Sequence, residues 1–113
     1  MKYIIAIIQP HRTEEVLEAL YKADIHLVTV SEVLGHGRQK GLTEVYRGHR
    51  EMGALLHKIK VEIAVNDAFV KPALEAIEHA GHTGNVGDGK VFVLDLKECV
   101  RIRTGERGSK AIG

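Results

Sequence analysis

An α+β fold with the element order βαββαβ is predicted by three observations. The run Tyr3-Ile4-Ile5-Ala6-Ile7-Ile8 is continuous and β-branched, which suits a strand buried on both faces. Two segments, near residues 13–23 and 70–77, repeat apolar side chains at helical spacing. Ile59, Val61, Ile63 and Val65 alternate with Lys60, Glu62 and Ala64, as on a half-covered antiparallel strand.

The first strand occupies residues 2–9 and stops at Pro10, which cannot donate to a ladder. Thr13 is the expected N-cap of the first helix, with Glu14 and Glu15 in its first turn and Val16, Leu17, Leu20 and Ala23 as its inner stripe. Residues 25–34 alternate and are rich in Val, Thr and Ile, so they read as a second strand running into Gly35-His36-Gly37. From Arg38 to about Leu55 no period holds, and a loop this long in a small domain is ordinarily functional. After the third strand comes a second helix, whose inner face carries Val70, Leu74 and Ile77. Pro72 must lie in or near its first turn, which puts the start between Ala68 and Lys71. Residues 91–96 form the fourth strand, and a tail of turns follows Glu98. The whole order is that of the ferredoxin-like split βαβ sandwich, a single domain over residues 1–113. Two helices cover one sheet face and leave the other bare, which implies a homo-oligomer that buries it.

Composition narrows the function classes. A chain of 113 residues with 44% hydrophobic content but little aromatic side chain builds its core from aliphatic residues. A net charge of +1 is too small for a protein that lives on nucleic-acid phosphates, so no nucleic-acid partner is expected. Cys99 is the single cysteine; it forms no internal disulfide, suits a reducing compartment and reads as a small buried hydrophobe. The Tyr3 to Ile8 run is too short for a signal peptide or a membrane span, and a cytoplasmic protein is expected. Seven histidines are present, but none pairs at i, i+4 within a clear helix and no cysteine pair joins them, so they are read as solvated or hydrogen-bonded rather than as metal ligands.

The stretch Thr83-Gly84-Asn85-Val86-Gly87-Asp88-Gly89-Lys90 carries the most chemistry. Its glycines permit positive φ and expose backbone N–H groups, and Lys90 with the later Arg101 and Arg103 supplies fixed positive charge: the parts of a polyphosphate cradle. It departs from the usual phosphate loop, because Val91 rather than Ser or Thr follows Gly89-Lys90. A tight Asp88-Gly89 turn feeding the apolar fourth strand accounts for the same residues.

Five segments in order resemble the PII signal-transduction family, the trimeric regulators of nitrogen metabolism. They are Thr29-Val30-Ser31-Glu32-Val33, Gly35-His36-Gly37-Arg38-Gln39-Lys40-Gly41, Thr43-Glu44-Val45-Tyr46-Arg47-Gly48, the glycine stretch 83–90, and Arg101-Ile102-Arg103-Thr104-Gly105-Glu106. The resemblance implies a homotrimer with ATP or ADP in the clefts between subunits. Gly87, Asp88, Gly89 and Lys90, within a loop 82–90, would wrap the phosphates, and Arg101 and Arg103, from a tail 98–113, would reach them from a neighbour. Thr29, Gly35, Gly37, Arg38, Glu62, Ala64 and Phe92 would complete the nucleotide site. Gln39 would hold Mg2+ with ATP, and 2-oxoglutarate would sit on that metal among Gln39, Lys40, Gly41 and Lys58.

The resemblance further implies that the loop 37–57 binds targets through Glu44, Tyr46 and Arg47. Those targets would be an ammonium transporter, which would recruit the protein to the inner membrane face, or enzymes of nitrogen metabolism. The tyrosine that many members uridylylate and the serine that others phosphorylate are replaced here by Glu51 and His49, so neither modification is expected at its usual place. The segment Gly48 to His57 departs from the common pattern. It keeps open a divergent regulator of another transporter or of nitrogen fixation that does not sense 2-oxoglutarate. No nucleophile paired with a base is visible, which argues against a small phosphoryl-group hydrolase, and the protein is not expected to be an enzyme.

Overall fold

The computed structural model describes residues 1–36, 45–46, 49–50 and 55–112. Its main sheet is built from β1 (Lys2–Ile8), β2 (Thr29–Gly35), β5 (Leu56–Val65) and β6 (Lys90–Asp95), in the order β2-β5-β1-β6 with every pair antiparallel. Helices α1 (Thr13–Lys22) and α2 (Val70–Gly81) pack side by side on one face. This is the ferredoxin-like α+β sandwich that the element order predicts. A two-residue hairpin, β3 (Val45–Tyr46) with β4 (His49–Arg50), and a short C-terminal helix α3 (Ser109–Ile112) are added to it.

Strand parity explains the core. Ile4, Ala6 and Ile8 of β1 lie opposite Ile63, Val61 and Ile59 of β5, so the even residues of β1 and the odd residues of β5 share the face toward the helices. Val16 and Leu20 of α1 and Ala73, Ile77 and Ala80 of α2 close over them, all buried. Arg12 ties the two helices together, its Nε donating to the Ala80 carbonyl at 2.8 Å and so satisfying an end group of α2. The other face carries Tyr3, Ile5, Ile7, Ala64, Phe92 and Leu94, with Phe92 and Leu94 about half exposed.

Five local expectations are corrected. Thr13 is not the N-cap: Pro10 starts a 3-10 turn over Pro10–Arg12 that runs straight into α1, and the Thr13 hydroxyl donates to the Pro10 carbonyl at 2.7 Å. The second strand begins at Thr29 rather than residue 25. Asp24 adopts φ +62° and closes α1, with its own N–H bonded to Tyr21 O and that of Ile25 to Leu20 O at 2.9 Å, a Schellman end. β5 reaches back to Leu56, where it pairs with β2 beyond the helices and burial no longer marks its parity. The tail is not all turns, since α3 forms within it, and Cys99 is half-buried rather than buried. Pro72 does fall in the first turn of α2, which starts at Val70.

Candidate functional site

A cavity of about 530 Å³ opens at one end of the bare sheet face. Four elements converge there: Ile7 from the end of β1, Gly35 and His36 from the end of β2, Lys58 from the start of β5, and the glycine loop leading through Lys90 to Phe92. The loop is held by its own carboxylate. Asp88 accepts from the backbone N–H of Thr83 at 2.8 Å, from that of Gly84 at 3.0 Å, and from the Thr83 hydroxyl, while the Asn85 N–H turns back to Thr83 Oγ1 at 3.2 Å. Gly84, Gly87 and Gly89 all have positive φ, at +87°, +107° and +90°. Gly89 is further constrained, since a Cβ there would stand 1.7 Å from the Ile7 carbonyl oxygen.

Hydrogen bonding to the Thr83 hydroxyl, then to the Thr83 and Gly84 amides, holds the Asp88 carboxyl below the ordinary aspartate value of 3.8; the nearby His82 adds a smaller effect. The folded value is the lower one, so the anchor's contribution is complete above the unfolded value and is lost as pH falls through the folded one. The Asp88 carboxyl carbon resonance is therefore expected to stay constant at neutral pH and titrate only below the ordinary carboxylate range. Asp88→Asn should abolish that titration. A wild-type titration at neutral pH would show that the anchor is not Asp88.

Lys58 is the buried charge of the site, only 8% exposed. Its Nζ donates to Gln9 Oε1 at 3.0 Å and to the Gly87 carbonyl at 2.8 Å, both neutral acceptors, and it belongs to no ion pair among the described residues. An ammonium has three donors, so one remains for the cavity. Removing it from water without a counter-charge is costly, and an anion entering the cavity would supply that charge. Gly35 makes room for the stem, because a Cβ there would lie 3.3 Å from Lys58 Cγ.

The family model described as nitrogen regulatory protein P-II matches residues 1–106 of this chain. The chain belongs to the P-II nitrogen regulatory protein family. It is 52% identical over 112 residues to nitrogen regulatory protein P-II of Azospirillum brasilense, covering 99% of this chain and 100% of that one. It is 52% identical over 112 residues to nitrogen regulatory protein P-II 2 of Methanothermobacter thermautotrophicus, and 50% identical over 114 residues to nitrogen regulatory protein GlnK1 of Methanosarcina mazei; each covers 99% of this chain and 97% of the relative. As a P-II protein it is a regulator in nitrogen signalling. No helix among the described residues is long and apolar enough to cross a membrane.

In this P-II chain the residues expected at one site fall into separate groups. Gly35, Lys58, Gly87, Asp88, Gly89, Lys90 and Phe92 line the cavity together. Thr29 pairs with Glu62 at the far end of the β2–β5 ladder, six residues from the Gly35–Leu56 pair and so about 20 Å away. There the Tyr3 hydroxyl donates to Glu62, whose carboxyl is held below its usual range chiefly by that bond and also by Lys60, 3.5 Å away. Ala64 lies at the same end and lines a smaller cavity of about 130 Å³ with Ile25, Leu27, Phe69 and Ile112.

Arg101 is turned into its own tail. It donates from Nη2 to Ala111 O at 3.2 Å and lies 3.5 Å from Glu106, while Arg103 is exposed; neither lines the cavity of its own chain. Tyr46 sits in β3, paired with His49. Gly37, Arg38, Gln39, Lys40, Gly41, Glu44 and Arg47 lie outside the described residues, as does Glu51.

Sequence reasoning missed Ile7, His36, Asn85 and Gln9. The parity that puts Ile4, Ala6 and Ile8 in the core puts Ile7 on the bare face, but the continuous run of β1 gave no sign of it. His36 and Asn85 lie within the family segments without drawing a role, and nothing in the local pattern marks Gln9.

Proposed function

We propose that this P-II protein is a cytoplasmic homotrimer that binds ATP or ADP together with 2-oxoglutarate and passes the bound state to target proteins through residues 37–57. The observation that supports it most is the cavity in which a positive-φ glycine loop faces a buried Lys58 that forms no ion pair among the described residues. Backbone amides and Lys90 suit the phosphates, and Lys58 suits the distal carboxylate of a dicarboxylate effector. The described lining offers a hard cation little, because its only carboxylate, Asp88, is already taken by Thr83 and Gly84. Mg2+ would therefore rest on phosphate oxygens, on Gln39 and on the effector's oxygens.

The separation of the two residue groups on the bare face supports shared sites. If copies pack by that face, the Thr29, Glu62 and Ala64 end of one subunit comes to the glycine loop of the next, with Arg101 and Arg103 supplied across the same boundary. The half of Phe92 and Leu94 that is still exposed would then leave water, each contributing half of the roughly 1.5–3 kcal/mol of a fully buried side chain. The targets are an ammonium transporter, which would recruit the protein to the inner membrane face, or enzymes of nitrogen metabolism, met by Glu44, Tyr46 and Arg47.

Calorimetric titration with Mg-ATP, with and without 2-oxoglutarate, tests this. Each ligand is expected to tighten the other by the same factor, because linkage is reciprocal. Mg-ATP binding without coupling would make the chain a divergent regulator that senses something else, and no nucleotide binding would overturn the reading.

A further inference from the structure

We propose that Gln9 is the positioning residue that makes Lys58 a receptor for an external carboxylate. The inference rests on the reading of the cavity given above and adds a selector to it. Gln9 follows the last residue of β1 and sits where its side-chain oxygen meets Lys58 Nζ at 3.0 Å. The Gly87 carbonyl takes a second N–H of the same ammonium at 2.8 Å. These two acceptors fix the ammonium in space, and because both are neutral they leave its full charge unspent.

A carboxylate at position 9 would occupy the same space and make the same hydrogen bond, but it would cancel that charge. The difference between Gln and Glu at this point is thus the difference between an open anion site and one filled from within. The arrangement also joins two ligands. The ammonium that receives the effector is the one that holds Gly87, a residue at φ +107° in the loop assigned to phosphates. An anion that orders Lys58 therefore orders the loop, and a loop ordered by phosphates presets Lys58.

The test compares wild type, Gln9→Glu and Gln9→Met by calorimetry, titrating 2-oxoglutarate in the presence of Mg-ATP and Mg-ATP alone. Gln9→Met removes one hydrogen bond to a charged group and is expected to weaken 2-oxoglutarate binding about tenfold. Gln9→Glu, though closer in shape to Gln, is expected to weaken it about a hundredfold, because it supplies an internal counter-ion. The loss for Mg-ATP alone should be much smaller than the loss for the effector in both variants. If position 9 served only packing, Gln9→Glu would be the milder change. Glu equal to or milder than Met, or no loss in either, overturns the proposal. Absence of 2-oxoglutarate binding in the wild type is seen before any variant is made; it overturns the parent reading and this inference with it, and is thereby told apart from a failure at position 9.

Discussion

Gly89→Ala is expected to lower the thermal midpoint by about 10 °C or more. Two physical causes add. At φ +90° a side chain is strained wherever it sits, and here its Cβ would stand 1.7 Å from the backbone oxygen of Ile7. Backbone cannot swing aside as a side-chain tip can. Relief requires moving β6 away from β1 just where Ile7 pairs with Lys90, so the damage enters the central sheet. Gly105→Ala is the control. Its φ of +76° carries the same kind of strain, but nothing lies within 4 Å of the added carbon, and the cost should be about 1 kcal/mol. Thermal unfolding of both variants at one protein concentration decides the matter, since association would make midpoints concentration-dependent. Equal shifts would mean that the approach to Ile7 contributes nothing.

The reason Gly89 could not be singled out from sequence shows where sequence reasoning stops. Its stretch was legible as a glycine-rich loop with positive charge, but the contact that makes one glycine indispensable comes from a strand more than eighty residues earlier. Elements whose burial has a period were legible: Val61 and Ile63, Val16 and Leu20 lie where their spacing puts them, whereas the continuous run of β1 gave no sign that Ile4, Ala6 and Ile8 face the helices. Elements placed by local caps were not. Residues 25–28 alternate like a strand, yet the left-handed Asp24 and the Ile25 amide spend them on closing α1. Lys58 marks the same limit within the site. By itself it reads as a solvated charge at a strand start. Only the pairing of Val33 with Lys58 and the bond to Gly87, 29 residues on, show that it is buried and aimed into a cavity.

If the cavity is the effector site proposed above, Lys58→Met is expected to weaken 2-oxoglutarate binding about a hundredfold while changing stability by no more than about 1 kcal/mol. Methionine keeps the unbranched stem that passes Gly35 and fills nearly the same volume, so packing is retained. What it removes is a buried ammonium whose acceptors among the described residues are both neutral, so that its desolvation offsets much of what those two hydrogen bonds contribute to the fold. The Gly87 carbonyl lies beside the cavity and can turn to water when the ammonium is gone. A ligand carboxylate has no such substitute, because it loses a charge-assisted bond in a partly water-excluded site. The two measurements together separate the roles of the residue. A large fall in thermal midpoint would make Lys58 a structural tie between β5 and the glycine loop, and intact 2-oxoglutarate affinity would remove it from the effector site. Loss of affinity with the midpoint kept is the result expected if the chain tolerates an unpaired buried charge for the sake of the anion that completes it.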